Sequence, residues 1–269
     1  MHDPGPAFRA LHQRGNPFVL ANAWDLGSAK VLAALGAQAL ATSSAAHAFT
    51  FGKPDGGVTR DQALAHAAEI VAATPLPVSG DFENGWGDDP DTCAETVRLA
   101  AEAGLAGISI EDTALPGSGA YDRDLAVERI RAAVAAARTL PRDFVLVARA
   151  DGVLQGSYDL TEAIARIRAF EAAGADCVYI PAPGSFEDLE TVCAAVDCPV
   201  NALATGVLAS YTREDFARAG VARISLGSAL ARVTHRALID TAKEILDEGT
   251  FSGLKNSVSG RVVDEMLGG

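Results

Sequence analysis

Asp81 and Glu83 close a short apolar run in the stretch 77–87 (PVSGDFENGWG), immediately before a glycine-rich break. Two carboxylates at the frayed end of a strand allow one to hold a metal ion while the other supports it from the side. On its own a D-x-E pattern before Asn-Gly is more often a solvated turn capped by its own side chains. Recurrence separates the two readings. Residues 108–112 (ISIED) and 145–151 (VLVARAD) repeat the arrangement of a buried strand followed at once by charge. Strands that end alike in charge imply one shared pocket.

The residues that follow each apolar run are unusually polar. They are Ser43 and Ser44 after the second run, Asp81 and Glu83 after the third, Glu111 and Asp112 after the fourth, Arg149 and Asp151 after the fifth, and Asn201 within the seventh. Oxygen ligands without an accompanying His or Cys cluster favour a hard cation. A site with few direct carboxylates and several waters suits Mg2+, with Mn2+ as the alternative. Arg149, a guanidinium facing those carboxylates, is placed to bind a substrate carboxylate or a developing enolate oxygen beside the metal. The structural alternative is a buried Arg–Glu network that only holds the rim together.

The elements that must position these groups alternate regularly. Residues 18–21 (FVLA), 37–43, 77–81, 106–110, 144–148, 177–180, 200–203 and 222–226 read as strands that are apolar on both faces, as in a parallel sheet covered on both sides. Helices are expected between them over 26–35, closed by Gly36, and from Thr59 to about residue 73, opened by a Thr59/Gln62 capping box. Further helices are expected over about 92–103, 125–139 and 161–173, then from Ser185/Asp188, from Thr212/Asp215, and over about 229–248. Eight strand–helix units predict a closed (β/α)8 TIM-type barrel forming a single α/β domain over 1–269, with the last helix and tail, 229–269, packing on a neighbouring subunit or on the barrel rim. The competing fold, an open doubly wound sheet, has little support: the G-x-G at Gly117 and Gly119 lies well past a strand and lacks the third glycine of the dinucleotide fingerprint.

Composition narrows the partners. The formal net charge is -13, and no Lys/Arg cluster stands ready to neutralise phosphates, so nucleic acid is not an expected partner. The start of the chain (MHDPGPAFRA) has no apolar run of signal-peptide type, and no segment approaches the roughly 18 apolar residues of a membrane span, so a cytoplasmic protein with no membrane contact is expected. The four cysteines, Cys93, Cys177, Cys193 and Cys198, are scattered without a C-x-x-C pair and read as reduced, partly buried thiols, none of them catalytic.

Over residues 8–248 the chain resembles the isocitrate lyase and phosphoenolpyruvate mutase superfamily. The resemblance is carried by ATSSA (41–45), Asp55, GDFENGWG (80–87), IED (110–112), VARAD (147–151) and RISLGS (223–228). It implies a (β/α) barrel that binds Mg2+ and cleaves or rearranges bonds next to the enolate of a small 2-oxo acid or dicarboxylate. It also implies a homotetramer, a dimer of dimers, whose last helix packs against a partner subunit. By position, Asp81 resembles the direct Mg2+ ligand, with Asp55, Glu83 and Glu111 acting through metal-bound waters. Arg149 resembles the substrate-orienting cation; Ser43, Ser44 and Ala45 resemble the hydroxyl and backbone N–H contacts to the 2-oxo acid. Asn201 joins the expected substrate contacts, and Glu111 and Asp55 join Arg149 in the expected catalytic set.

The chain also departs from the pattern. The lyases of the family carry a K-K-C-G-H type motif on a mobile loop after the Glu-Asp pair, where this chain has residues 115–121 (LPGSGAY), and the Lys and Asn of the phosphonate-handling members are absent as well. Glu83 stands where an Asp is usual. The groups left as proton donors are Tyr121, Ser118 and His47, with rim or packing roles as their default, and His235 reads as a surface or interface residue. Three functions are expected to compete: an Mg2+-dependent carbon–carbon lyase or decarboxylase working through a pyruvate-like enolate, carbon–phosphorus chemistry on the same scaffold, and a non-catalytic 2-oxo-acid-binding protein.

Overall fold

A computed structural model describes residues 3–268. Its centre is a closed parallel barrel of eight strands in sequential order. They are β1 (Phe18–Asn22), β2 (Leu40–Ala41), β3 (Val78–Asp81), β4 (Gly107–Glu111), β5 (Val145–Arg149), β6 (Cys177–Tyr179), β7 (Val200–Leu203) and β8 (Arg223–Ser225). β8 closes on β1 with Phe18 opposite Arg223 and Leu20 opposite Ser225.

The two-residue period of a strand divides the apolar residues into two cores. Ile108, Ile110, Leu146, Ala148, Val178, Val200 and Ile224 point outward and pack under the helices. Phe18, Leu20, Ala41, Val145, Val147, Cys177 and Tyr179 fill the barrel itself. The same parity sends Asp81, Glu111 and Arg149 inward at the strands' C-terminal ends. Glu111 lies directly opposite Arg149, and Arg149 opposite Tyr179. Gly107 starts β4 without a side chain because a Cβ there would stand 2.3 Å from the Val145 carbonyl oxygen.

Helix starts follow the expected caps. Thr59 and Thr212 each form a reciprocal capping box, with Gln62 and Asp215, and Ser185 accepts from the Asp188 amide. Gly36 ends the helix Leu26–Ala34 at φ +91°, a conformation that suits glycine. Three short helices were not expected. Gly5–Leu11 closes the bottom of the barrel by setting Phe8 edge-on against Phe18, with ring centroids 6.1 Å apart. Ser44–Thr50 starts directly after β2, and Gly152–Gln155 follows β5. β2 is correspondingly shorter than the apolar run 37–43 suggested, because Ser43 leaves the sheet to cap the helix behind it.

The end of the chain has two parts. The last long helix is Ala229–Lys243, continued by a wider turn over Glu244–Glu248. The tail then returns to its own barrel: helix Gly260–Leu267 lies against Leu26–Ala34, where Lys30 Nζ donates to the Leu267 carbonyl at 3.0 Å. The long helix and its continuation are scarcely covered, with Val233 and Leu238 each 65% and Leu246 81% exposed. Among the described residues no helix is long and apolar enough to cross a membrane.

Candidate active site

At the C-terminal end of the barrel a cleft of about 400 Å³ is lined by Ser43, Ser44, Ala45, Asp55, Asp81, Glu83, Glu111, Arg149 and Asp151, among others. Arg149 is its hub. Nη1 donates to Asp81 Oδ1 at 2.7 Å, Nε and Nη2 fork onto the two oxygens of Asp151 at 3.1 and 2.6 Å, and Nη2 lies 3.2 Å from Glu111 Oε2. The Tyr179 ring sits 5.1 Å from the guanidinium carbon and backs it from within the barrel. Asp81 bridges this hub to the next wall. Its other oxygen accepts from the Ser44 amide at 3.1 Å, and the Ser44 hydroxyl lies 3.1 Å from both Asp81 Oδ2 and Asp55 Oδ1. The structure thus gathers Ser43, Ser44, Ala45, Asp55, Asp81, Glu83, Glu111 and Arg149 in one cleft.

Asn201 does not join them. It is buried between β6 and β8, donating to Ser225 Oγ and accepting from Arg223 Nε at 2.9 Å each, so both ends of its amide are committed inside the barrel. Asp112 is also committed elsewhere. It accepts from the Asp151 amide, Tyr158 Oη and Arg166 Nη1 at 2.7–2.8 Å, and holds the start of the helix Gly152–Gln155 in place. Gly152 allows this, since a Cβ there would stand 2.1 Å from the Tyr158 ring.

The loop after β3 is held by Tyr121 and by Arg129, which the sequence did not mark. Glu83, Gly85 and Trp86 all have positive φ (+43°, +78° and +60°), which carries a conformational cost for the two residues that are not glycine. Arg129, 1% exposed on the helix Arg123–Thr139, donates to the carbonyls of Asn84 and Gly87 and stacks on Tyr121, whose ring centroid is 4.2 Å away. The Tyr121 hydroxyl donates to Asp88 at 2.6 Å and accepts from Asn84 Nδ2 at 2.9 Å. Tyr121 is therefore a strut, with its pKa pushed up to about 12 by burial and by its bond to Asp88. One signal could have found Arg129: it interrupts the apolar stripe of its helix, between Ala126, Ile130 and Ala133.

The other candidate proton donors lie outside the cleft. Ser118 is exposed on the loop. His47 is buried and stacks on His66 with ring centroids 3.7 Å apart; burial lowers the pKa of both, that of His66 to about 4. His235 is exposed beside Phe49. All four cysteines are free, and burial pushes the thiols of Cys93 and Cys177 up to about 11, which keeps them protonated.

The electrostatics of the cleft are unbalanced. Burial, then Asp81 and Asp55, raise Glu83 to about 7, with Arg149 opposing. Burial and Asp151 hold Glu111 well above the usual carboxylate range, and burial and Asp81 raise Asp55. Arg149 cannot neutralise so many carboxylates, and Glu83 Oε1 is buried without a partner. That surplus fits a second cation. Among the described residues no group of three His, Cys, Asp or Glu side chains forms a ready-made metal cage. Asp81 is the carboxylate shared between the hub and the Ser44 wall, with Asp55, Glu83 and Glu111 around it.

The sign of the Glu83 shift gives a test. The metal-free folded protein holds a proton on Glu83 up to about pH 7, whereas an unfolded chain releases it near 4.5. This stabilisation is full below about pH 4.5 and is lost as pH rises through 7. Thermal melts in chelator between pH 5 and 8 should show a falling melting temperature with a shallower slope in Glu83→Gln, and added Mg2+ should flatten the wild-type slope. Equal slopes for wild type and Glu83→Gln would contradict the assignment.

Comparison with known proteins agrees with the barrel fold. Residues 8–246 match the family model described as phosphoenolpyruvate phosphomutase. The chain is 30% identical to 2-methylisocitrate lyase of Escherichia coli, covering 97% of this chain and 90% of that one. It is 31% identical to oxaloacetate decarboxylase of Ectopseudomonas mendocina, over 90% and 84% of the two. The solved structure of a lyase/mutase-like protein from Burkholderia cenocepacia superposes with a TM-score of 0.93 at 45% identity, covering 99% of this chain and 96% of that one. With its eight-stranded closed barrel and the carboxylate–arginine cleft at the strands' C-terminal ends, the chain belongs to the phosphoenolpyruvate phosphomutase family, within the isocitrate lyase/PEP mutase superfamily.

Proposed function

We propose that this protein is an Mg2+-dependent carbon–carbon lyase of the decarboxylase type, acting on a small 2-oxo acid such as oxaloacetate through its enolate. The observation that carries the reading is Arg149, half-buried in the cleft and held by Asp81, Glu111 and Asp151. Asp81, with Asp55, Glu83 and Glu111 around it, would hold Mg2+, which would supply Lewis-acid polarisation of the substrate carbonyl. Ser43, Ser44 and Ala45 form the wall that receives the 2-oxo acid. Arg149 donates to the oxygen on which negative charge develops, and its carboxylate partners keep it oriented before the substrate arrives.

The loop over the cleft favours decarboxylation over aldol-type cleavage. Tyr121 is committed to Asn84 and Asp88, Ser118 is exposed, and residues 113–121 contain no Cys, Lys or His. Decarboxylation releases carbon dioxide without a proton donor, and solvent can protonate the enolate afterwards. Similarity to an oxaloacetate decarboxylase supports this reading; similarity to a 2-methylisocitrate lyase supports the wider lyase class. Carbon–phosphorus chemistry has less support, because Arg149 is the only Lys or Arg among the described residues lining the cleft.

In Mg2+, Arg149→Ala should lower kcat/KM for oxaloacetate about 10²–10³-fold, the cost of losing about 3–4 kcal/mol of oxyanion stabilisation. Tyr121→Phe and Ser118→Ala should each change it less than about tenfold, and wild-type cleavage of 2-methylisocitrate should be poor. Melting temperatures measured in parallel separate lost chemistry from lost fold. A Tyr121→Phe loss larger than that of Arg149→Ala, or efficient 2-methylisocitrate cleavage, would overturn the assignment.

The exposed apolar residues of the last helix and the segment after it, Val233, Leu238, Ile239, Leu246, Phe251 and Leu254, form a surface that a second copy of the chain would cover. A homotetramer built as a dimer of dimers is the proposed assembly. Light scattering should give a mass near four times the 27.7 kDa of one chain, and a mass near one chain would remove the proposal.

A further inference from the structure

Two cavities meet at the barrel mouth. The inner chamber, about 400 Å³, contains Arg149 and its carboxylates; an outer cleft of about 750 Å³ opens beside it, with Val58, Arg60, Trp86 and Pro116 among its lining residues. The two share Asp55, Gly56, Glu83 and Leu115. Of these four, Gly56 has no side chain, and Asp55 and Glu83 belong to the carboxylate group described above. Leu115 is thus the one apolar side chain in the shared wall, and the one that can be shortened without removing a charge from the site.

Leu115 is also held in place. Its carbonyl accepts from Asn84 Nδ2 at 3.2 Å, and its amide donates to the Thr113 carbonyl at 3.0 Å. The segment around it folds back as a small hairpin, through the Thr113–Ala120 bridge and an Ala114 amide bond to the Gly119 carbonyl at 2.9 Å. Asn84 is in turn fixed by Tyr121 and Arg129. The same clamp that shapes the loop after β3 therefore positions the wall between the cavities.

We propose that Leu115 sets the length of substrate this enzyme accepts. Short 2-oxo acids fit wholly inside the inner chamber, and Leu115 bars a longer alkyl chain from continuing into the outer cleft. The outer cleft has Val58, Trp86 and Pro116 to receive such a chain, while Asp55, Asp61 and Asp88 make it a poor place for a second carboxylate. The inference rests on the 2-oxo-acid reading above and names its size limit.

The test is calorimetric binding in Mg2+ of a straight-chain series, pyruvate, 2-oxobutyrate, 2-oxohexanoate and 2-oxooctanoate, to wild type, Leu115→Ala and Leu115→Phe. Wild type should bind the two short acids and lose at least tenfold in affinity at six carbons. Leu115→Ala should regain at least tenfold for the six- and eight-carbon acids while keeping pyruvate within threefold, and Leu115→Phe should not regain it. Trp86 lines the outer cleft and not the inner chamber, so its emission should change with the long acids in Leu115→Ala alone; a Trp24→Phe background isolates that signal. If no variant binds a short 2-oxo acid, this inference and the reading beneath it both fail. If short acids bind but Leu115→Ala keeps the wild-type length profile, this inference fails alone.

Discussion

The site depends on a single cation, largely withdrawn from solvent with its side chain 14% exposed. Arg149 gathers carboxylates contributed by β3, by β4 and by the turn after β5. Burying an ion costs several kcal/mol, which is recovered only when geometry and hydrogen bonding are close to ideal. Here all three guanidinium nitrogens are used, and the Tyr179 ring lies behind them. The carboxylates still outweigh the cation, as the raised Glu83 and Glu111 record. An excess of this kind works against stability unless a further positive charge balances it.

Much of the surrounding structure serves that arrangement. Asp112 faces away from the cleft and ties the turn after β5 to the helix Leu160–Ala172 through Arg166, with the Tyr158 ring stacked 4.5 Å from that guanidinium. This keeps Asp151 where Arg149 needs it. Arg129 does the equivalent on the other side, holding the positive-φ loop that carries Glu83. Two buried arginines with no place in the cleft thus position the walls on either side of the one that has a place in it.

The barrel and most of the cleft were legible in the sequence because strand parity and strand ends are local properties. Glu111 and Arg149 are inward-facing by the two-residue period, and their register confirms it. The same period separates Glu111 from Asp112, a distinction that the run of charges alone does not make. Asn201 misled for a complementary reason: it also faces inward, but sits a layer deeper, where Arg223 and Ser225 satisfy it. The supporting arginines were not legible, because their partners are carbonyl groups and a carboxylate 42 to 54 residues away. The helix Ser44–Thr50 escaped notice because seven residues following a strand carry too short a periodic signal. The return of the tail onto Leu26–Ala34 is a long-range packing outcome of the same kind.

The central claim is that this carboxylate excess exists to hold a divalent cation through Asp81. Isothermal titration of Mg2+ into wild type and Asp81→Ala, with circular dichroism to confirm that both are folded, tests it most directly. The account predicts measurable, saturable Mg2+ binding in wild type and its loss in Asp81→Ala with the fold retained. Unchanged Mg2+ affinity in a folded Asp81→Ala protein would contradict it.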